Sequence, residues 1–351
     1  MRSIVVNILF FVLGICLMVG VMVFFGFDKV VSQMSSANIN IFLLAVVVEA
    51  VTMLLAAFRL KIIAGIHPPL GFLKALKASV VGEVVDMLTP IAKIGGQPAK
   101  ISILKPVYGF SKSVAVVTID TFSDLISFYI VIVLAMIMIL FSGLLPFSTL
   151  FPFLMLFAIS ILVLTAFLYL LMNEELLRRV IIFVKKLISR YRKVSDLDYA
   201  ARFKKYTGLL TRNRKRLYTV IIITAILRVL EVTRLWIIFH ALGLNVSTIL
   251  IVFAWSFILL LNIVPWLPGG LGLVEAGGAY VFILFGIRET AAVGAIMLDR
   301  LVSYWFVLIP GIFYMMLIAK MKIMDIGEER AKKSEKLFKK PAIKKPVIIE
   351  R

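Results

Sequence analysis

The chain has 351 residues, of which 62% are hydrophobic, and it carries 39 lysine and arginine residues against 19 acidic ones. A soluble domain is usually about 45–50% apolar, so this composition excludes an ordinary soluble protein and predicts a membrane protein. The net charge of +20 does not indicate nucleic-acid binding, because no finger motif or aromatic-basic interleaving accompanies it.

The first predicted element is a charge-free run from Ser3 to Phe27. As a helix it would measure about 37 Å, which exceeds the hydrocarbon core of a bilayer, so we interpret it as a first span and not as a signal peptide. The further apolar runs are 39–58, 125–141, 146–172, 217–240, 247–263 and 291–318. The sequence therefore predicts an all-α polytopic membrane protein with about six full spans within a transmembrane domain at 1–319.

The basic residues between these runs predict the orientation. Of the 39 lysines and arginines, 34 fall in five stretches: Arg2, 59–77, 93–112, 173–216 and 320–351. By the positive-inside rule these stretches are cytoplasmic, and so are both termini. The uncharged connectors Ser142–Phe147 and Ala241–Val246 are then expected outside.

A repeated motif explains the short apolar segment 78–92, which lies between two cytoplasmic stretches. We predict a re-entrant helical hairpin whose tip is "TPIAKIGGQP" at 89–98, and "NIVPWLPGGLGLVEAGG" at 262–278 has a similar Pro and Gly-Gly pattern. Repeat 1 would cover about 39–141 and repeat 2 about 217–318, in opposite orientations. Inverted repeats with interrupted helices are typical of transporters whose substrate site lies near the midplane of the membrane.

Two polar segments lie outside the repeats. In the linker 173–216, helical spacing places apolar residues on one face and basic residues on the others. This pattern predicts an amphipathic helix in the cytoplasmic interface of the membrane. The basic tail 320–351 is expected to be disordered and attracted to anionic lipid.

The two motifs resemble the signatures of the lysylphosphatidylglycerol synthase transmembrane-region family, also called flippase-like. The resemblance rests on "PWLPGGLGLVE" at 265–275 with Arg300, and on "TPIAKIGGQPAK" at 89–100 with "DTFSD" at 120–124. It covers about 39–318, although Thr121 stands where the family commonly has an arginine. Some members carry a soluble aminoacyltransferase domain, which is absent here, so the resemblance implies lipid handling without synthesis. The implied partners are membrane lipids with anionic or aminoacylated phospholipid headgroups.

The ionisable residues in the apolar segments form the candidate site. Inserting one such side chain at the centre of a membrane helix costs about 2.5–3.5 kcal/mol, so their presence indicates a structural or functional role. Arginines and the amides of the Gly-Gly tips suit phosphate, whereas acids suit a cationic headgroup or a proton. Ion pairing that stabilises the bundle is the alternative explanation for these residues. Glu49 in the second span is compatible with a ligand site and with structural ion pairing. The predicted substrate-binding residues are Glu83, Asp86, Gly95, Gly96, Asp120, Asp124, Arg228, Glu231, Arg234, Pro268, Gly269, Gly270, Gly272, Glu275, Asp299 and Arg300.

The sequence favours a lipid translocase of the plasma membrane that is not an enzyme. No cofactor or metal site is predicted: His67 and His240 are isolated, and Cys16 is the single cysteine. Three alternatives stay open: an ion- or proton-coupled carrier of a small polar solute, a membrane enzyme or accessory protein acting on polyprenyl phosphate or lipid headgroups, and a non-transporting scaffold. The lipid, the direction, the energy source and the oligomeric state are not specified by the sequence.

Overall fold

The computed structural model describes residues 2–65, 68–89, 95–144, 146–172, 208, 213–263 and 267–317. This part of the chain is helical and contains no strand. The predictions for the tail, and nearly all of those for the linker 173–216, fall outside it. The helices are α1 (Arg2–Phe24), α2 (Phe27–Ser35), α3 (Ile39–Ala64), α4 (Phe72–Leu88), α5 (Gln97–Tyr108), α6 (Phe110–Ser142), α7 (Phe147–Met172), α8 (Arg214–Ala241), α9 (Thr248–Ile263), α10 (Leu273–Leu284) and α11 (Glu289–Leu317).

Three helices of the described residues are long and apolar enough to cross a membrane, namely α3, α6 and α11. A fourth span results if α1 and α2 are taken together as one broken segment. The fold is therefore that of a multi-pass helical membrane protein. Helix α8 has 28 residues, or about 42 Å at 1.5 Å per residue, but three charged residues, Arg228, Glu231 and Arg234, interrupt the apolar sequence of its interior. The count of six full spans stays a prediction.

The first predicted span is shorter than expected. Helix α1 ends at Phe24, and the chain turns by 90° into α2. Gly26 makes this turn with φ of +90°, a backbone conformation that other residues rarely adopt. The apolar run to Phe27 gave no sign of the bend, because hydropathy reports composition and not direction.

Two helical hairpins occupy the positions of the two motifs. We call α4 with α5 the first hairpin, and α9 with α10 the second hairpin. In the first, Gly82 packs against the Lys100 stem, and a Cβ at Gly96 would overlap the carbonyl oxygen of Gly82. In the second, a Cβ at Gly277 would overlap the Leu261 side chain. Glycines at these contacts let the antiparallel arms approach closely.

Helices α3 and α8 pack along each other and run antiparallel. The amide of Asn38, just before α3, donates to the carbonyl of Ala241 at the end of α8, with an N–O distance of 2.8 Å. The Asn38 side chain also caps α3 by accepting from Asn40 N at 3.0 Å. Helix α3 also contacts the first hairpin, and α8 contacts the second.

By its contacts the chain divides into two units, Met1–Leu308 and Ile309–Arg351. The apolar core of the first unit has two parts: a large cluster around α8 to α11 and a smaller one around Leu60, Leu104 and Val117. The described part of the second unit is the end of α11, with exposed Ile309, Phe313 and Met316. All the predicted site residues lie in the first unit.

Candidate functional site

The tips of the two hairpins meet at a cavity of about 130 Å³ inside the bundle. Met87 and Thr89 contribute from the first tip, and Asn262, Gly269 and Gly270 from the second. Leu267 also belongs to the second tip, and the remaining lining residues come from the hairpin arms and the long helices: Glu49, Glu83, Asp86, Glu231, Arg234, Trp255, Ile258, Leu259, Asp299, Arg300, Ser303 and Tyr304. We call this space the tip cavity.

A second cavity of about 110 Å³ adjoins the first and is lined by residues of α3, α4, α5, α6, α8 and α11. Its wall includes Arg59, Lys100 and Asp120. Three carboxylates, those of Glu49, Glu83 and Glu231, belong to the walls of both cavities. Polar groups therefore form a continuous interior region rather than two isolated sites. We call the second space the side cavity.

One network of buried ion pairs lies at the side cavity. The Arg59 guanidinium, whose side chain is 3% exposed, bonds Asp120 Oδ1 at 2.8 Å and Asp124 Oδ1 at 2.6 Å. Asp120 and Asp124 are one helical turn apart on α6, so a single planar fork reaches both. Lys100 of the first hairpin adds a bond from Nζ to Asp120 Oδ2 at 3.0 Å. We call this the Asp120–Asp124 network; its members are Arg59, Lys100, Asp120, Asp124, Arg228 and Glu231.

Helix α8 joins this network through Arg228. The guanidinium donates to Asp124 Oδ1 at 2.9 Å and to Glu231 Oε2 at 2.7 Å, and it lies 4.3 Å from the centroid of the Phe128 ring. Ion pairs and a cation–π contact offset the loss of hydration for this buried charge. The network therefore ties α3, the first hairpin, α6 and α8 together.

A second network lies at the tip cavity. Arg234 of α8 bonds Glu49 of α3, and its Nε donates to Asp299 Oδ1 of α11 at 2.9 Å. The neighbouring Arg300 pairs through Nε with Glu275 Oε1 at 2.9 Å. We call this the Arg234–Arg300 network; its members are Glu49, Arg234, Glu275, Asp299 and Arg300.

The loop geometry at the two tips is held by carboxylates. Asp86 Oδ1 accepts a hydrogen bond from Gly96 N at 2.7 Å. Glu275 Oε2 accepts from Gly272 N at 2.6 Å, which caps the start of α10. Both interactions place an acid at a helix N-terminus, where free amides and the helix dipole favour negative charge. These amides therefore bind the chain's own carboxylates.

The structure brings half of the predicted site residues to the tip cavity: Glu83, Asp86, Glu231, Arg234, Gly269, Gly270, Asp299 and Arg300. It places Asp120, Asp124 and Arg228 at the side cavity. The other five, Gly95, Gly96, Pro268, Gly272 and Glu275, lie outside both walls. Glu275 is 0% exposed; its Oε2 accepts a hydrogen bond from the Gly272 amide, and its Oε1 forms the ion pair with Arg300.

Sequence reasoning missed four residues of this region. Arg59 and Lys100 were assigned to cytoplasmic connectors, yet they are 2% and 8% exposed. For Arg59 a signal was available, because the apolar pattern continues through Leu60 to Ala64 and keeps it within α3. Asn262 and Tyr304 carried no charge to draw attention, and both line the tip cavity.

The tip cavity is suited to a polar ligand. Five carboxylates and two guanidinium groups line it, within a bundle whose outer faces are apolar. The described residues include no group of three His, Cys, Asp or Glu side chains that could hold a metal ion. The arrangement therefore provides charged and hydrogen-bonding groups for recognition.

Comparison with known proteins agrees with this architecture. The chain is 24% identical over 318 residues to a UPF0104 membrane protein of Pyrococcus horikoshii, covering 86% of this chain and 94% of the relative. It is 24% identical over 311 residues to one of Methanothermobacter thermautotrophicus (86% and 92% covered) and 23% identical over 325 residues to one of Methanocaldococcus jannaschii (88% and 94% covered). The family model described as "Lysylphosphatidylglycerol synthase TM region" matches residues 9–311. The chain therefore belongs to the lysylphosphatidylglycerol synthase transmembrane-region family.

Proposed function

We propose that the protein translocates a lipid with a polar headgroup across the plasma membrane, without catalysing a reaction. The observation that carries this proposal is the tip cavity, a polar space formed where two glycine-rich hairpin tips meet inside an apolar bundle. A headgroup that crosses hydrocarbon needs such groups, because moving an unsolvated charge through lipid is very costly. Phospholipid headgroups, anionic or aminoacylated, are the proposed partners.

The proposed membrane arrangement has six full spans, two re-entrant hairpins and cytoplasmic termini. The antiparallel packing of α3 against α8 supports it, because these helices would be the first spans of two oppositely oriented repeats. Broken backbone at membrane depth needs a cavity or surrounding protein, and both hairpin tips lie at such a cavity. In this arrangement the hairpins enter from opposite faces and share one site.

Carriage of a small polar solute is the second candidate. The small volume of the tip cavity, about 130 Å³, favours it, because drug-sized ligands occupy pockets of roughly 300–1,000 Å³. A headgroup still attached to its acyl chains requires a cavity that opens sideways to lipid. The two candidates therefore differ in whether the ligand can be a free solute.

Reconstitution into vesicles separates the two candidates. Vesicles would carry headgroup-labelled neutral, anionic or cationic lipid, and leaflet exchange would be followed with a membrane-impermeant quencher. We expect exchange by the protein and its loss in Ser303→Phe, which places a ring in the tip cavity. Leu44→Phe is the matched control, because it adds the same ring at an exposed position on α3. Uptake of water-soluble headgroup analogues without any leaflet exchange would contradict the lipid proposal and support the carrier.

A further inference from the structure

One buried side chain contacts the tips of both hairpins. Tyr304 is 1% exposed, and its hydroxyl donates to the Met87 carbonyl oxygen at 3.0 Å. Met87 lies in the last turn of α4, where carbonyl groups lack donors from within the helix. The Tyr304 ring packs against the second tip, where a Cβ at Gly269 would overlap its Cε2 atom. Tyr304 therefore bridges the two tips by a hydrogen bond on one side and a ring contact on the other.

The backbone around Tyr304 is also unusual. Residues Leu301–Trp305 form a π turn within α11. Such turns are rare and often occur at functional sites. Because an α turn holds fewer residues, conversion of this turn to α geometry would rotate Tyr304 relative to the preceding part of α11. The π turn is therefore the place in α11 where a change to α geometry could move the Tyr304 hydroxyl away from Met87.

The volume of the tip cavity shows why separation of the tips is needed. The tip cavity has a volume of about 130 Å³, below the roughly 300–1,000 Å³ of pockets that hold drug-sized ligands. Met87, Gly269 and Tyr304 all belong to the cavity wall. Separation of the tips would therefore enlarge the cavity for a larger ligand, and the Tyr304–Met87 hydrogen bond is one of the contacts that would have to break.

We propose that Tyr304 is a positioning residue that latches the two hairpin tips together and keeps the tip cavity closed. Release of its hydroxyl from Met87 opens the cavity to a ligand. The contacts of Tyr304 with Met87 and Gly269 close the cavity whatever the ligand is. Their role in leaflet exchange rests on the proposed function. Loss of one neutral hydrogen bond changes an equilibrium about fivefold, so an effect of this size is expected on cavity opening.

Thiol accessibility measures opening without any lipid assay. In a Cys16→Ala background, Ser303→Cys places a thiol in the cavity wall, and its modification by a small cationic methanethiosulfonate reagent is timed. We expect Tyr304→Phe to accelerate modification about fivefold. Tyr129→Phe is the matched control, because it removes a similar bond, from Tyr129 OH to the Ser160 carbonyl at 3.1 Å, between α6 and α7. Equal rates in the two tyrosine variants would overturn the latch.

A reversible cross-link provides a second test. In the same Cys16→Ala background, but without the thiol at position 303, Met87→Cys and Tyr304→Cys would be bridged by a reducible bis-methanethiosulfonate linker in the reconstituted protein. We expect leaflet exchange to stop on bridging and to return on reduction. Exchange that continues through the bridge would overturn the latch while leaving the lipid proposal intact. Absence of exchange in every form, with accelerated thiol modification in Tyr304→Phe, would support the latch and contradict the lipid proposal.

Discussion

The two halves of the bundle bury charge in the same places but with opposite signs. In the first half, the second arm of the hairpin supplies a cation, Lys100, to Asp120 on the following long helix. In the second half, the corresponding arm supplies an acid, Glu275, to Arg300 on the following long helix. In each half an ion pair thus joins the second arm of the hairpin to the following long helix, with the positive and negative partners exchanged.

The halves also differ in how their tips are fixed. The second tip has three glycines with positive φ, at positions 269, 270 and 272, and Glu275 caps the helix that follows. At the first tip, Asp86 on the entering arm bonds Gly96, and neither Gly95 nor Gly96 has positive φ. Among the described residues, a carboxylate bonds a backbone amide at both tips, whereas glycines with positive φ occur only at the second. Changes at the two tips are expected to act through different contacts.

The largest expected difference between the halves is the side of the membrane from which each hairpin is reached. Cysteines at Lys77 and Lys105, at the base of the first hairpin, should react only after permeabilisation. Cysteines at Ser142 and Asn245 should react from outside, because the uncharged connectors are predicted to be external. Labelling of intact cells with an impermeant maleimide, in the Cys16→Ala background, measures this. External reaction at Lys105 would contradict the opposed orientation of the hairpins.

Replacing one acid in each network compares how much the two networks contribute to the stability of the protein. Asp120→Asn leaves Lys100 without its bonded acid and Arg59 with only Asp124, so a cost of about 3–5 kcal/mol is expected. Asp299→Asn should cost less, because Arg234 keeps its bond to Glu49. Thermal unfolding in detergent measures both.

Two controls accompany these charge variants. Asp28→Asn changes an exposed acid in the first turn of α2 and should lower the unfolding temperature only slightly, through the helix dipole. Lys100→Met combined with Asp120→Asn should recover part of the loss, because the uncompensated buried cation is then absent. An unfolding temperature for Asp120→Asn equal to that of Asp28→Asn would show that the Asp120–Asp124 network contributes nothing to stability.

Adding a methyl group at each tip tests the close contacts. Gly96→Ala should meet the Gly82 carbonyl, and Gly269→Ala should meet the Tyr304 ring, so each is expected to cost about 1–3 kcal/mol. Gly269→Ala carries additional strain from its φ of +59°. The free energy of unfolding and the rate of leaflet exchange should both fall. Gly20→Ala is the control, because nothing lies within 4 Å of its added Cβ.

The smallest expected effect compares the starts of α3 and α8, both of which begin after an asparagine cap. Asn38 Oδ1 accepts from two amides, at 3.0 and 3.4 Å, whereas Asn213 Oδ1 accepts from one, at 3.2 Å. Asn38→Ala should therefore cost about 1 kcal/mol and Asn213→Ala somewhat less. Aspartate at either position keeps an acceptor and should restore stability. A larger loss at Asn213 than at Asn38 would contradict this ranking.

The sequence predicted the helical membrane class and the candidate residues that the structure brings together at the tip cavity. Both predictions rest on local signals, because long apolar runs indicate helices and a proline followed by Gly-Gly indicates an interruption of a helix. The meeting of the two motifs was inferable because the pattern occurs twice. The proposed re-entry of each hairpin into the membrane was inferable in the same way, and it stays a prediction.

Other features depend on contacts that no local pattern encodes. Arg59 and Lys100 were counted as connector charges, because charge counting cannot distinguish a buried cation from a solvated one. Tyr304 resembles any aromatic residue in an apolar helix until its bond to Met87 is known. Gly14, which the sequence places in an ordinary span, lies against the second tip, where an added Cβ would be 2.8 Å from Leu271 Cβ.

The contact between α1 and the second tip has a consequence for biogenesis. Gly14 lies against Leu271, and Leu17 lies against Gly272, although roughly 250 residues separate these partners in the chain. At about 5–20 residues per second, α1 would leave the ribosome roughly ten seconds to a minute before its partner is made. During that interval α1 would wait in the bilayer without this partner, which the charge-free run from Ser3 to Phe27 allows. The earliest helix to be inserted is therefore among the last to dock.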